Sequence, residues 1–120
     1  MKQRFSVKKR IESFKYAFQG ILPVYKNDHN IYVHTLAAVL VIVAGIYYNL
    51  TNFEWIAIIA CIGFVFVCEF INSAIEKLAN IVNPEYNTNI KIVKDIAAAA
   101  VLISAITAAT IGILIFYPKL

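Results

Sequence analysis

The sequence predicts an all-α membrane protein in which an N-terminal amphipathic surface helix precedes three transmembrane helices. First, 61% of the 120 residues are hydrophobic and the mean hydropathy is +0.72, whereas soluble domains are usually about 45–50% apolar. Second, three apolar stretches, at about residues 31–48, 55–82 and 95–117, reach the length that a membrane-spanning helix needs. Third, a basic amphipathic stretch precedes them. We expect a single domain over residues 1–120.

The surface helix is predicted over about residues 6–22. Apolar side chains recur at helical spacing from Ile11 to Leu22, while Lys8 and Lys15 lie on the opposite face. This pattern is typical of a helix that lies in the membrane interface. Pro23 is expected to end or bend the helix, because proline lacks the N–H that a helix interior requires.

Each predicted span carries a feature that bears on its packing or its ends. The first contains His34, which we interpret as an interfacial or helix-contact residue because no second histidine or cysteine is spaced to join it. The second starts with the interfacial aromatic Trp55 and runs to Asn83, so its end should project beyond the hydrocarbon. The third is rich in alanine, which allows close approach between helices.

The distribution of charge predicts the orientation of the spans. Basic residues concentrate in residues 1–29 and 77–94, whereas the connection between the first two spans carries only Glu54. The positive-inside rule therefore places the N-terminus and the candidate active site on the cytoplasmic side of the inner (plasma) membrane. The net charge is +4, but the basic residues flank apolar spans. Anionic headgroups and phosphates are thus the expected partners, and nucleic acid is not.

A polar stripe interrupts the second predicted span. At about 100° per residue its members share one helix face; they are Glu69, Asn72, Ser73, Glu76 and Asn80. A carboxylate in a membrane span is costly and indicates a functional site. It can also join helices or subunits, or serve a proton or ion pathway. Because Glu69 is expected nearer one membrane surface than the midplane, chemistry on the polar end of a lipid fits better than transport.

Phosphoryl transfer to a lipid hydroxyl is one reaction that suits these residues. It needs a base for the hydroxyl, a metal ion that bridges the nucleotide phosphates, and cations for the developing charge. Glu69 can be the base, and Glu76 and Asp28 offer oxygen ligands suited to Mg²⁺. Lys94 can hold a phosphate in a chain whose four glycines are isolated from one another. Composition alone does not identify a kinase.

The run from Glu69 to Asn80, EFINSAIEKLAN, resembles the signature of the prokaryotic diacylglycerol kinase and undecaprenol kinase family. Residues 13–20, 27–30, 84–86 and 94–102 resemble other blocks of that family, in the same order. The resemblance implies three membrane helices with an N-terminal surface helix, assembled as a homotrimer whose active sites are shared between subunits. It also implies ATP- and Mg²⁺-dependent phosphorylation of a primary hydroxyl on a membrane lipid, either diacylglycerol or undecaprenol.

The same resemblance implies roles for particular residues. Glu69 corresponds to the general base, which also meets the lipid, and Asn72 orients groups beside it. Asp28 and Glu76 correspond to the metal ligands that also hold the nucleotide phosphates. The remaining implied ATP contacts are Tyr16, Glu85, Asn87, Lys94 and Asp95, and the implied lipid contacts on the N-terminal helix are Lys9 and Arg10.

Two departures from the family pattern bear on the nucleotide and metal, while His29 and Tyr32 also stand where basic residues are frequent. Asn80 stands where aspartate is usual, which removes a charge near the nucleotide. Asp28 stands where glutamate is usual, which shortens the reach to a metal ion. These departures support an alternative function, a catalytically silent or regulatory membrane subunit derived from the family. A small proton or ion pathway is a third interpretation, which rests on the intramembrane glutamate alone.

Overall fold

The computed structural model describes residues 4–120, and within that range the chain forms four α-helices and one short 3-10 helix, with no β-strand. The elements are α1 Val7–Asn27, α2 Asn30–Tyr47, α3 Asn52–Val82, α4 Thr88–Phe116 and the 3-10 turn Tyr117–Lys119. Three of the helices, α2, α3 and α4 with its 3-10 extension, are long and apolar enough to cross a membrane. The predicted all-α membrane fold class is confirmed.

Capping side chains determine where α3 and α4 begin. At α3, Thr51 accepts a hydrogen bond from the Glu54 N–H, and the Glu54 carboxylate accepts one from the Thr51 N–H, which is a reciprocal capping box. At α4, the side chain of Asn87 accepts from the N–H groups of Asn89 and Ile90. Both helices therefore start before their apolar stretches, and Lys94 lies inside α4.

The junction between α1 and α2 is held by two tyrosines. Helix α1 does not end near residue 22, as predicted, but continues through Pro23 to Asn27, and contacts with α2 hold its last turn. The Tyr25 hydroxyl lies 2.8 Å from the Thr35 hydroxyl, and the Tyr32 hydroxyl donates to the Tyr25 carbonyl at 2.8 Å. The two tyrosine rings also meet edge to face, with their centroids 5.6 Å apart.

The interior of the bundle is narrow and centres on α3. This helix packs most extensively against α4, and it contributes the buried side chains of Ile58, Cys61 and Val65. At the end of the bundle remote from α1, Lys119 Nζ lies 3.2 Å from Glu54 Oε2. Most other apolar side chains on α2 and α4 face outward, where lipid or further copies of the chain can cover them.

We predict that replacing Gly45 with alanine destabilises the fold. A Cβ at this position would lie 2.7 Å from the Trp55 ring and 3.0 Å from Leu50, so the α2–α3 turn would have to shift. Overpacking of this kind typically costs about 1–3 kcal/mol. Thermal unfolding in detergent measures the loss. Gly63→Ala is the matched control, since a Cβ at Gly63 meets nothing within 4 Å; equal melting temperatures for the two variants would contradict the prediction.

Candidate functional site

The polar stripe of α3 passes from the interior of the bundle to its surface. Glu69 is fully buried and Asn72 is 5% exposed. Ser73, which follows Asn72 directly, and Glu76, about one turn beyond Asn72, are half-buried. Asn80 is exposed. The stripe therefore connects the interior of the helix bundle with the polar end where α1 joins α2.

Three oxygen atoms at the buried end of the stripe are left without hydrogen bonds. Both carboxylate oxygens of Glu69 and Oδ1 of Asn72 are buried and have no hydrogen-bond partner among the residues that the structure describes. His34 Nε2 on α2 lies 3.3 Å from Glu69 Oε2, without forming a hydrogen bond to it. Buried polar atoms normally have partners, so these oxygens indicate a place for a group from outside the chain.

Asp28 lies at the polar end and joins the α1–α2 junction to α3. One of its carboxylate oxygens accepts from the Ser73 hydroxyl at 2.8 Å, and the other accepts from the Asn30 N–H at 2.9 Å. The pKa of Asp28 lies below its ordinary value. Partial burial acts to raise this pKa, but the neighbouring Glu69 carboxyl and the hydrogen bonds from Ser73 and Asn30 outweigh it. Asp28 is therefore ionised at neutral pH.

A polar groove of about 630 Å³ lies between the end of α1 and α3. Its wall includes both Asp28 and Glu76, with Lys77 and Asn80 beside them. Within residues 4–120 no group of three or more candidate metal ligands is found. Two carboxylates nevertheless fit Mg²⁺ in a nucleotide site, because that ion usually keeps one or two carboxylates and takes its other ligands from phosphates and water.

Lys94 reaches the stripe from the facing helix. Its Nζ donates to the Asn80 side-chain oxygen at 2.6 Å, which brings a cation of α4 to the exposed end of the stripe. Asp95, by contrast, pairs with Lys91 one turn away on the same helix, at 2.6 Å. Because Asn80 is neutral, the positive charge of Lys94 is not cancelled by this contact.

The structure does not bring every predicted ATP or lipid contact into the polar groove. Glu85 is exposed in the α3–α4 connection, and the side-chain oxygen of Asn87 is engaged in capping α4. The three predicted contacts on α1 are exposed, and none of them lines the polar groove; they are Lys9, Arg10 and Tyr16. Their predicted roles therefore receive no support from the geometry of one chain.

An apolar groove of about 530 Å³ lies between α2, α3 and α4. Along α3 its lining residues precede Glu69, whereas those of the polar groove follow it. Aliphatic and alanine side chains line most of it, among them Val41, Val65 and Ala105. His34 belongs to this wall as well, so the residue that touches Glu69 also borders the apolar groove. Along α3, Glu69 thus lies between the residues that line the apolar groove, which end at Phe66, and those that line the polar groove, which begin at Phe70, although it lines neither groove itself.

Sequence reasoning missed two contacts in this site. Ser73 was recognised as part of the stripe, but its bond to Asp28 depends on how the α1–α2 junction folds back onto α3. The contact of His34 with Glu69 was missed because it depends on the alignment of two different helices. The signal that was present is depth: His34 starts the first span and Glu69 nears the end of the second, as expected for neighbours in an antiparallel pair.

Fold and site together define a small helical membrane protein with a carboxylate-rich site at the polar end of its bundle. Known sequences place it more narrowly. The prokaryotic diacylglycerol kinase family pattern matches residues 15–116. An undecaprenol kinase of Bacillus subtilis is 36% identical over 109 residues, which cover 91% of this chain and 89% of the relative. A diacylglycerol kinase of Synechocystis sp. is 34% identical over 114 residues, covering 90% of this chain and 62% of the relative.

The chain belongs to the prokaryotic diacylglycerol kinase family. It is by family a lipid kinase, as the resemblance of the Glu69–Asn80 run indicated. Membership in a kinase family implies ATP as the co-substrate. The three candidate spanning helices agree with a membrane protein.

We predict that Ser73→Ala weakens the attachment of the α1–α2 junction to α3. Loss of a hydrogen bond to a charged group should lower the free energy of unfolding by about 1–3 kcal/mol at neutral pH. The folded-state pKa of Asp28 is depressed, so the stabilisation by ionised Asp28 is present above its unfolded pKa and is lost as pH falls through its folded pKa. The loss caused by Ser73→Ala should therefore shrink under acid conditions.

Thermal unfolding in detergent with EDTA, at neutral and at strongly acidic pH, measures this change. Ser13→Ala is the control, because the Ser13 hydroxyl donates only to the Lys9 carbonyl within α1. A Ser73→Ala loss no larger than that of Ser13→Ala, or one independent of pH, would contradict the assigned contact.

Proposed function

We propose that the protein transfers the γ-phosphate of ATP, with Mg²⁺, to the primary hydroxyl of a membrane lipid, either undecaprenol or diacylglycerol. These two lipids are the ones named by the relatives. The observation that carries the proposal is the Glu69 carboxylate, which is fully buried, accepts no hydrogen bond from the described chain, and lies on α3 between the linings of the apolar and polar grooves. A lipid hydroxyl that enters from the apolar side would supply the missing donor.

The proposed role of Glu69 is to accept the proton of the lipid hydroxyl. As that proton moves to the carboxylate, the lipid oxygen forms a bond to the γ-phosphorus, and the bond from the γ-phosphorus to the bridging oxygen of ADP breaks. Asn72 lies about one helical turn from Glu69. Its buried side-chain oxygen has no hydrogen-bond partner among the described residues, and the NH₂ group of the same side chain can donate. Its proposed role is to orient the hydroxyl or a phosphate oxygen beside Glu69.

The nucleotide is proposed to occupy the polar groove. Asp28 and Glu76 would hold Mg²⁺, which when bound neutralises charge on the phosphates. Lys94 is proposed to contact a phosphate, since its charge is not cancelled where it meets Asn80. The proposed orientation places this end of the bundle in the cytoplasm, where ATP is found, in accord with the positive-inside distribution of lysines and arginines.

The proposed assembly is a homotrimer with sites shared between subunits. Two features support an oligomer: the outward apolar faces of α2 and α4, and the orphaned oxygens of Glu69 and Asn72. The alanine-rich α4 suits close packing between chains. The predicted ATP and lipid contacts that a single chain leaves outside the groove could then serve the site of a neighbouring subunit.

We predict that Glu69→Gln abolishes most of the turnover without loss of ATP binding, because a general base contributes about 10²–10⁴-fold. Transfer of ³²P from ATP to a panel containing undecaprenol, diacylglycerol and a lipid without a hydroxyl measures it, and the wild-type profile identifies the substrate. Glu12→Gln on α1 is the control, since Glu12 lies outside both grooves. Failure of the wild type to phosphorylate either alcohol would refute the proposed function, and full activity of Glu69→Gln would refute the base.

Asp28→Ala and Glu76→Ala should each weaken Mg²⁺-dependent ATP binding. If the two carboxylates hold one ion, the double variant should lose less than the sum of the two single losses, because the second change removes a ligand from a site already broken. Calorimetric titration with ATP, with and without Mg²⁺, gives the cycle. Wild-type affinity in the double variant would remove both residues from the metal site.

Shared sites predict recovery of activity when two impaired variants are co-expressed, one at a residue inside the single-chain site and one at a residue outside it. Asp28 lies beside Glu69 in the same chain, so the informative pair is Glu69→Gln with Arg10→Ala, because a trimer that contains both chains would hold some sites with both intact residues, each from a different subunit. Partial recovery above either variant alone is the expected result. No recovery in oligomers shown to contain both chains would indicate that each site belongs to one subunit.

A further inference from the structure

We propose that His34 is a positioning residue that holds the Glu69 carboxylate in its place between the linings of the apolar and polar grooves. The inference deepens the proposed function, because it assigns the residue that sets where a lipid hydroxyl meets its base. His34 Nε2 lies 3.3 Å from Glu69 Oε2, and the side chains of the two residues are 18% and 0% exposed. The two side chains are in contact, although neither Glu69 oxygen has a hydrogen-bond partner among the described residues.

The contact spans two helices. His34 projects from the second turn of α2, and Glu69 from α3. A glutamate side chain has three rotatable bonds, so a carboxylate without hydrogen bonds has several orientations open to it unless a neighbour restricts it. The imidazole of His34 provides that restriction from one side, and the two oxygens remain able to accept a proton.

The backbone that carries His34 is itself held firmly. Ile31, about one turn earlier, is 0% exposed. Thr35, the next residue, donates to the Ile31 carbonyl at 2.7 Å and meets the Tyr25 hydroxyl of α1 at 2.8 Å. A group that positions another residue works only if its own place is fixed by packing and hydrogen bonds. The α2 backbone at His34 meets this condition, because Ile31 before it is buried and Thr35 after it is hydrogen-bonded.

The location of His34 favours a role at the site over a purely structural one. It lines the apolar groove together with Ala37 and Ala38, so it lies on the path by which a lipid headgroup would approach Glu69. The other histidine of the chain, His29, is exposed at the start of α2 and makes no side-chain capping bond. His29 therefore provides an internal control for removal of an imidazole from the same helix end.

The kinetic test compares His34→Ala, His34→Gln and His29→Ala with the wild type in the lipid phosphorylation assay. His34→Ala should lower kcat by at least about tenfold, since small misplacement of a reacting group can cost up to about 10²-fold. The KM for Mg·ATP should stay within twofold. His34→Gln should recover most of the loss, because its amide nitrogen reaches about as far as Nε2 of histidine. His29→Ala should match the wild type.

Unchanged kcat in folded His34→Ala, or a His34→Gln protein as slow as His34→Ala, would overturn the positioning role. A change confined to the KM for Mg·ATP would overturn it too, since that pattern belongs to nucleotide binding.

A second measurement does not depend on activity. The chain has two histidines, so ¹⁵N-histidine labelling gives a simple NMR spectrum in micelles. Glu69→Gln should shift the ring nitrogens of His34 and leave those of His29 in place, whereas Glu12→Gln should shift neither. Equal His34 signals in Glu69→Gln and wild type would refute the contact. Absence of wild-type turnover with either lipid would instead refute the proposed function, and the NMR result would still report on the contact.

Discussion

The burial of one carboxylate governs the structure of this protein. Glu69 is wholly removed from solvent inside a helix that is long and apolar enough to cross a membrane, and a charge at such a place costs about 2–3 kcal/mol even by lenient measures. That cost is tolerated where the group serves a function and where neighbours or ligands compensate it. Among residues 4–120 the Glu69 carboxyl contacts His34 and lies beside the Asp28 carboxyl, and its oxygens have no hydrogen-bond donor, which leaves that place open to a ligand or another subunit.

The elements around Glu69 follow from this constraint. Helix α3 is long enough to carry one polar stripe from the interior to the surface, and its exposed end meets Asp28 through Ser73 and Lys94 through Asn80. The hydrogen bonds of Tyr25 and Tyr32 fix the α1–α2 junction. The junction therefore holds Asp28 at a defined position along α3. A polar groove and an apolar groove then lie on opposite sides of the buried carboxylate. This arrangement suits the proposed transfer of a phosphate from a water-soluble nucleotide to a lipid at the membrane surface.

Much of this architecture was predictable because periodicity and hydropathy are local properties. The three spans, the amphipathic first helix and the one-sided stripe of α3 can all be derived from spacing along the chain. Helix starts were less accessible, because Thr51 and Asn87 extend α3 and α4 beyond their apolar stretches by capping. The contacts of Asp28 with Ser73 and of His34 with Glu69 were not predicted. Shared depth in the membrane was a signal for the second contact, but a contact also depends on which faces of the two helices meet. The predicted roles of Tyr16 and Arg10 remain predictions, because no contact in one chain tests them.

The central claim is that the lipid hydroxyl meets Glu69, between the apolar groove and the polar groove. The most direct measurement is an experimental structure of the protein with Mg²⁺, a non-hydrolysable ATP analogue and the lipid alcohol that the phosphorylation assay selects. The account predicts the lipid hydroxyl within about 2.6–3.2 Å of a Glu69 oxygen, with the γ-phosphate on the Asp28 and Glu76 side. A lipid hydroxyl bound away from Glu69, or a nucleotide bound outside the polar groove, would contradict it.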